Sequence, residues 1–537
     1  MTLLTIENLS MKIGAVEILR DVSMSVAPGE ILGVIGESGS GKSMTAFSVM
    51  QLLPDAATCT GAITLADTDI LNASESDLCA IRGNDVGMVF QEPMTALNPV
   101  KNIGDQVAEI IRIHEPSVRK TEALARAREA LDRCELPEDR FPLTRYPHEM
   151  SGGQRQRVVI AMAIARHPKL LIADEPTTAL DVTTQAEILT LLKRLVTEDN
   201  MGLMMITHDL AVVSDMADHI VIMKDGEVVE EGPAATLYKD MQHPYTKALF
   251  EASSHQPDRN APLKAPPLLQ VKDLIRDYTL PREKLFAAPG KFRAVNDVSF
   301  EIRRGESLGL VGESGCGKST LTRAILGLEA IQGGEIILDG APLFTEGGVN
   351  PMARRKMQVV FQDPYGSFNP RWKVARLITE PFHLLDNPPT GLAFETAVDQ
   401  ALISVGLTPN DKHKYIHEFS GGQRQRIAIA RALITRPDLI ILDEAVSALD
   451  VSVRAQVLDL LAELSEKHGL TYLFISHDLS VVRTITDRVL VMKAGEIVEK
   501  GETESVFDDP QHPYTKALIA AAPRLPEDIS ADIKETA

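Results

Sequence analysis

Long apolar runs are missing from this chain. The longest candidates are short segments such as LLIA and LIIL, far below the roughly 18 consecutive apolar residues that cross a bilayer, so no membrane span is expected. The start, MTLLTIENLSMKIG, lacks a basic stretch followed by an apolar core, and no secretory leader is expected from it. Cysteine is scarce. Cys59, Cys79, Cys134 and Cys316 lie far apart without ligand-like spacing, which excludes a disulfide framework and a cysteine metal site. A positive surplus is absent too: 55 Lys and Arg stand against 75 Asp and Glu, a net charge of −20. That balance weighs against nucleic acid or an anionic membrane as the partner, because both attract a positive field. The expected setting is cytoplasmic, with any membrane role exercised through other chains.

What is present occurs twice. GESGSGKS from Gly36 returns as GESGCGKS from Gly312, 276 positions on. SGGQRQR at Ser151 and Ser420, IADE and ILDE ending at Glu175 and Glu444, THD and SHD around His208 and His477, and QHPYTKAL at Gln242 and Gln511 all recur 269 positions on. One offset shared by so many blocks marks the tandem duplication of a whole domain, and 537 residues accommodate two cores comfortably. The expected division is a first domain over 1–254, a spacer over 255–267 and a second domain over 268–537. The spacer, HQPDRNAPLKAPP, favours an extended, semi-rigid chain over a helix.

The coarse pattern of each copy is α/β. ILGVIG and SLGLVG are apolar runs ending in Gly, as buried parallel strands do, and each leads through a Gly-rich loop into a helical stretch. LLIAD and LIILD read as further buried strands, and HIVIMKDGEVVEEG reads as a hairpin. Met201–Met205 reads as filling for a core strand.

The Gly-rich loops carry the first chemistry. Gly36, Glu37, Ser38, Gly39, Ser40, Gly41, Lys42 and Ser43 fit the phosphate-binding GxxxxGKS pattern. So do Gly312, Glu313, Ser314, Gly315, Cys316, Gly317, Lys318 and Ser319. Glycines let backbone N–H groups close around phosphates, and the helix N-terminus adds partial positive charge. The lysines are expected to reach the β- and γ-phosphates, and the Ser43 and Ser319 hydroxyls to ligate Mg²⁺. Cys316, at a helix N-terminus, sits where a thiol pKa is lowered; it is expected to be reactive and protected by MgATP.

SGGQ before a helical stretch offers a second phosphate-facing N-terminus in each copy, formed by Ser151, Gly152, Gly153 and Gln154 and by Ser420, Gly421, Gly422 and Gln423. A helix cap with a Gly pair is the plainer reading of a single SGGQ. Two copies at matched distance from a P-loop resemble the ATP-binding cassette family, in which one domain's SGGQ completes the other's pocket in a head-to-tail dimer. The resemblance covers nearly the whole chain. It implies two tandem P-loop ATPase domains, each a parallel-sheet core with an antiparallel β subdomain and a helical subdomain. It also implies Asp174 and Asp443 as Mg²⁺ carboxylates, and Glu175 and Glu444 as the bases that polarise the attacking water. His208 and His477 resemble switch histidines at the γ-phosphate, and Gln91 and Gln362 resemble loop glutamines that sense Mg²⁺ and the transport partner. Ala179–Leu180–Asp181 and Ala448–Leu449–Asp450 match the segment that crosses the dimer.

Within that family the chain resembles the ATPases of oligopeptide, dipeptide and nickel importers, through the P-loop sequences, EPMTALNP, DPYGSFNP and HPYTKAL. The fused form is similar to the Yej-type peptide importers and the glutathione importers. The implied function is ATP hydrolysis driving uptake of peptides or a related solute. The implied partners are two integral membrane permease subunits, with an extracytoplasmic binding protein acting indirectly and no nucleic acid. The place is the cytoplasmic face of the inner membrane. The segments after Gln91 and Gln362, with Trp372, are the expected permease contacts. ATP and Mg²⁺ are the expected cofactors; no iron–sulfur cluster is expected, since no cysteine follows Cys316. Phe292 stands where the family stacks an aromatic on adenine, and Val16 stands in its place in the first copy, so weaker adenine contact is expected there. Arg155, Arg157, Arg424 and Arg426 read as solvated helix positions. The rival class is a soluble tandem cassette acting on ribosomes, which resembles chains with a long charged helical linker and basic RNA-facing surfaces; this chain has a short proline-containing linker and a net charge of −20.

Overall fold

The computed structural model describes the chain from Thr2 to Leu525, except residues 92, 179, 258–264, 281, 283–288 and 364–365 and the side chains of Pro93 and Met94. The chain divides into two compact units, the first comprising Met1–Ser254 and Pro523–Ala537 and the second His255–Ala522. Among the described residues no helix is long and apolar enough to cross a membrane.

In the first unit a six-stranded sheet runs in the order Glu227–Pro233, His219–Lys224, Ile31–Ile35, Gly202–Ile206, Leu170–Asp174, Val86–Val89. The first pair is antiparallel and the others are parallel. Ile31–Ile35, Leu170–Asp174 and Gly202–Ile206 are buried at every residue, because a central parallel strand is covered on both faces and has no solvated side to alternate toward. Met201, Met204 and Met205 are wholly buried at this sheet, which is the core filling expected of them. A four-stranded antiparallel sheet, in the order Val16–Val26, Leu4–Ile13, Ala57–Leu65, Thr68–Asp69, shares one apolar core with it: Leu4, Ile6, Leu9 and Met11 cluster with Val34, Ala46, Ile172 and Met204. Helices Ile103–His114 and Lys120–Arg133 make up a helical region.

The second unit repeats this plan. Its large sheet runs Met357–Val360, Leu439–Asp443, Thr471–Ile475, Ser307–Val311, Arg488–Lys493, Glu496–Glu502, with only the last pair antiparallel. Its antiparallel sheet runs Lys291–Arg303, Pro267–Thr279, Gly333–Leu338, Ala341–Pro342. The α/β class, with a parallel core and an antiparallel companion in each unit, is as the sequence implies. Trp372 is partly buried, with the Arg376 guanidinium 3.9 Å from its ring centroid.

The arginines after SGGQ correct their expectation. Arg157 is only 7% exposed and pairs with Glu135 and Glu187. Arg155 donates to the Pro147 carbonyl at 2.7 Å, Arg424 to Ile416 at 3.2 Å and Arg426 to Val405 at 2.9 Å. Their planar heads tie the SGGQ helix to the neighbouring loops, a multidonor job that suits guanidinium.

Candidate nucleotide site

Each Gly-rich loop leaves a buried strand and enters a helix: Ile31–Ile35 into Lys42–Met50, and Ser307–Val311 into Lys318–Ile325. Neither helix has a side-chain cap or an acidic residue in its first turn. A helix N-terminus of that kind carries partial positive charge and suits an anion. Glycine is required where the loop begins. Gly36 has φ +152°, and a Cβ there would lie 2.2 Å from the Met223 carbonyl oxygen; Gly312 has φ +149° and the same 2.2 Å approach to Met492. At the crown, by contrast, a Cβ on Gly39 or Gly315 would meet nothing within 4 Å. Ser38, Gly39, Ser314 and Gly315 are exposed, so the mouth of each cradle is open.

The lysines are buried inside their loops, 6% exposed for Lys42 and 7% for Lys318. Lys42 Nζ donates to the Gly36 carbonyl at 2.7 Å and the Glu37 carbonyl at 2.8 Å. Lys318 Nζ donates to Gly312 at 2.7 Å and Glu313 at 2.9 Å. Ser43 Oγ donates to Asp174 Oδ1 at 3.1 Å. Burial, then the charge of adjacent Glu175, push the Asp174 carboxyl up against the pull of Ser43 and Lys42. Burial and Glu444 likewise push Asp443 up. A hydroxyl beside a desolvated carboxylate is a hard, all-oxygen donor set that suits Mg²⁺. Among the described residues no three His, Cys, Asp or Glu side chains converge as a cage.

The glutamates follow directly. Glu175 and Glu444 sit in left-handed backbone, φ +48° and +52°, and their N–H groups donate to Ile206 and Ile475 at 2.8 and 2.9 Å. The Glu175 carboxylate faces His208 Nδ1 at 3.3 Å and accepts from Gln91 Nε2 at 3.0 Å and Thr178 Oγ1 at 2.8 Å. Glu444 faces His477 Nδ1 at 3.4 Å. Burial would raise Glu175, but the hydrogen bond and charge of His208, then Thr178 and Lys42, bring it down to about 2. Glu444 is lowered in the same way by His477. His477 is raised: burial opposes its charge, but its bond to Glu444 prevails.

The T/S-H-D sequences show why the histidines point where they do. Asp209 N–H donates to Thr207 Oγ1 at 3.0 Å, and Asp209 Oδ1 caps the next helix by accepting from Ala211 and Val212. Ser476 and Asp478 build the same turn around His477. A hydroxyl and an Asx cap therefore fix the chain on both sides of the imidazole.

Ser151 and Gln154 cap each other, N–H to side chain in both directions at 3.0 and 3.3 Å, and Ser420 and Gln423 repeat this at 3.1 and 3.4 Å. Gly153 is pressed on Thr184 and Gly422 on Val453, where a Cβ would come to 2.1 and 2.3 Å, while Ser151, Gly152, Ser420 and Gly421 are exposed. Val16 is 62% and Phe292 52% exposed. Gln362 is exposed. Leu180 is buried in the first unit, whereas Ala179 and parts of EPMTALNP, DPYGSFNP and the spacer lie outside the described residues.

Cys316 departs from expectation. The helix N-terminus and Lys318 favour its thiolate, but burial is the larger effect and pushes the thiol up; only 7% of the residue is exposed. Thr178 was not anticipated as a partner of Glu175. The only sign in the sequence was its place three residues on, inside DEPTTALD, with Ser447 at the matching place; Ser447 Oγ instead donates to the Glu444 backbone carbonyl at 2.9 Å.

The family model described as ABC transporter matches residues 19–178 and 295–447. A second, described as oligopeptide/dipeptide transporter, C-terminal region, matches 229–270 and 498–536. Curated relatives include the glutathione import ATP-binding protein GsiA of Escherichia coli (strain K12) and of Shigella dysenteriae serotype 1, each 45% identical over 97% of this chain and 89% of the relative. The protein of the same name from Salmonella choleraesuis is 45% identical over 95% of this chain and 87% of its own length.

Proposed function

We infer solute and working cycle from one premise: this chain belongs to the ABC transporter family, as a tandem ATPase of its oligopeptide/dipeptide branch. It is the ATP-hydrolysing subunit of an importer, with both nucleotide-binding domains in one chain. The proposed domain limits are 1–254 and 268–537, with 255–267 as spacer. The proposed solute is glutathione or a short peptide of similar size, supported by relatives named for glutathione import at 45% identity over nearly the whole chain. The proposed partners are two permease subunits and, through them, an extracytoplasmic binding protein, with the chain held at the cytoplasmic face of the membrane.

The observation that carries the chemistry is the carboxylate of Glu175, held by His208, Gln91 and Thr178 beside the Ser43–Asp174 pair. Lys42 and the uncapped helix N-terminus bind and orient the phosphates. Ser43, Gln91 and Asp174, with Ser319, Gln362 and Asp443 in the second site, would hold Mg²⁺, which supplies charge neutralisation when bound. Glu175 and Glu444 orient water and take its proton, while His208 and His477 turn to the γ-phosphate. In the proposed closed state Lys42, Glu175 and His208 work with Ser420–Gln423, and Lys318, Glu444 and His477 work with Ser151–Gln154. Closure and reopening then move the permeases.

Mild-detergent affinity purification with mass spectrometry, followed by uptake of labelled glutathione and dipeptides in reconstituted vesicles, tests this reading. Two multi-spanning subunits and ATP-dependent glutathione uptake are expected. Co-purifying ribosomal proteins without permeases would overturn it.

A further inference from the structure

The QHPYTKAL segments identify the importer branch, yet the nucleotide chemistry above assigns them no task. In the structure each ends on the P-loop of its own unit. Glu37 N–H donates to the Tyr245 hydroxyl at 3.1 Å, and Glu313 N–H donates to the Tyr514 hydroxyl at 3.0 Å. The peptide unit that carries the Glu37 N–H also carries the Gly36 carbonyl, and that carbonyl accepts Lys42 Nζ at 2.7 Å. The Gly312–Glu313 peptide does the same, with Lys318 at 2.7 Å. In a planar trans peptide C=O and N–H point in opposite directions, so a hydroxyl gripping one end sets the direction of the other. The tyrosine therefore aims the carbonyl on which the P-loop lysine rests.

Several residues of the motif contribute to that reach. Glu230, on the hairpin strand Glu227–Pro233, accepts the N–H groups of Gln242 and His243 at 2.6 and 3.2 Å; Glu499 accepts those of Gln511 and His512 at 2.7 and 3.0 Å. The histidine then caps the helix, Nδ1 accepting the N–H of Tyr245 or Tyr514 at 3.1 Å, with Pro244 or Pro513 at the first helical position, where proline loses no hydrogen bond. Leu249 and Leu518 bury the helices Pro244–Ser253 and Pro513–Ala520. Lys224 and Lys493 sit 4.9 and 4.6 Å from the tyrosine ring centroids. The same hairpins touch the loop again, Gly226 N–H donating to Ser40 at 3.1 Å and Gly495 N–H to Cys316 at 2.8 Å. Hairpin, motif and P-loop form one brace in each unit.

We propose that Tyr245 and Tyr514 are positioning residues for ATP: each hydroxyl holds the P-loop peptide on which the lysine docks, so the QHPYTKAL segment sets the affinity of its own unit's nucleotide site. The proposal rests on the nucleotide reading of the P-loops. Without the hydroxyl the peptide keeps the lysine but loses its N–H anchor, and the lysine is aimed less closely at each binding event, which weakens binding before chemistry begins.

The test is the full chain with Tyr245→Phe and Tyr514→Phe, which keeps the ring and its packing and removes only the hydroxyl. One lost hydrogen bond per site predicts a KM for ATP raised about three- to tenfold, with kcat within about twofold and the melting temperature unchanged. Amide hydrogen exchange at Glu37 and Glu313, measured without nucleotide, becomes faster. Unchanged KM and exchange overturn the proposal, as does a parallel fall in kcat and melting temperature, which a merely structural role would produce. If the double variant does not fold, the two single variants carry the same measurements. Wild-type chain that binds no ATP would sink the nucleotide reading, while the exchange data would still decide whether the tyrosine braces the loop.

Discussion

The His208 imidazole lies 3.3 Å from the carboxylate of Glu175, and His477 stands in the same relation to Glu444 at 3.4 Å. Each pair holds together the two groups proposed to act in hydrolysis. While the imidazole faces it, the Glu175 carboxyl is held near 2, too weak a base to take a proton from water efficiently. In the proposed cycle, turning the histidine toward a γ-phosphate would remove that partner and restore basicity.

The pairing has a pH signature. Burial works to raise Glu175, but His208, Thr178 and Lys42 hold it at about 2 against an ordinary 4.5. A folded value below the unfolded one makes the stabilisation complete above about pH 4.5 and lost as pH falls toward 2. In His208→Ala the partner is gone, so the variant loses less stability over that window than the wild type. Thermal melts of both chains at a series of acid pH values check this; parallel curves would count against the pairing.

Glu175→Gln with Glu444→Gln removes both proposed bases and leaves both cradles intact. Turnover is expected to fall by about 10²–10⁴, with ATP affinity retained. Steady-state ATPase rates beside equilibrium nucleotide binding give the answer, and unchanged turnover would refute the assignment.

The cysteines should react in order of exposure. Cys79 is exposed; Cys134 is fully buried with its thiol pushed up to about 12, and burial also raises Cys316. Iodoacetamide at mildly alkaline pH, followed by peptide mass spectrometry, is expected to label Cys79 and spare Cys134 and Cys316. Rapid labelling of Cys316 would restore the reactivity suggested by its place in the loop.

Phe292 and Val16 offer a paired exchange. Both are more than half exposed, and an aromatic ring stacked on a base contributes about 1–3 kcal/mol. Phe292→Val is expected to weaken the second site and Val16→Phe to strengthen the first, by roughly tenfold or more. Calorimetric titration in chains whose other site is disabled by Lys→Ala measures each. Equal affinities throughout would remove the stacking role from both positions.

Much of the scaffold was legible because it is local. ILGVIG, SLGLVG, LLIAD and LIILD became the central buried strands, and HIVIMKDGEVVEEG became the hairpin His219–Lys224 with Glu227–Pro233. A buried parallel strand and a two-residue turn each leave a signature within ten residues. The arginines after SGGQ were misread for the opposite reason. A charged residue on a helix looks solvated in sequence, and only the loops folded back on it, such as the one carrying Glu135 beside Arg157, make it a buried tie.

By itself the sequence determined the duplication, the two phosphate loops, the acidic strand ends and the family, because each rests on residue types at fixed short spacing. Tertiary structure alone decided that Glu175 meets His208 and Thr178, that the Cys316 thiol is raised, and that Tyr245 reaches the Glu37 amide across 208 positions. Those outcomes depend on burial and on contacts between distant segments. Desolvation and hydrogen bonding act through space, where separation along the chain carries no weight.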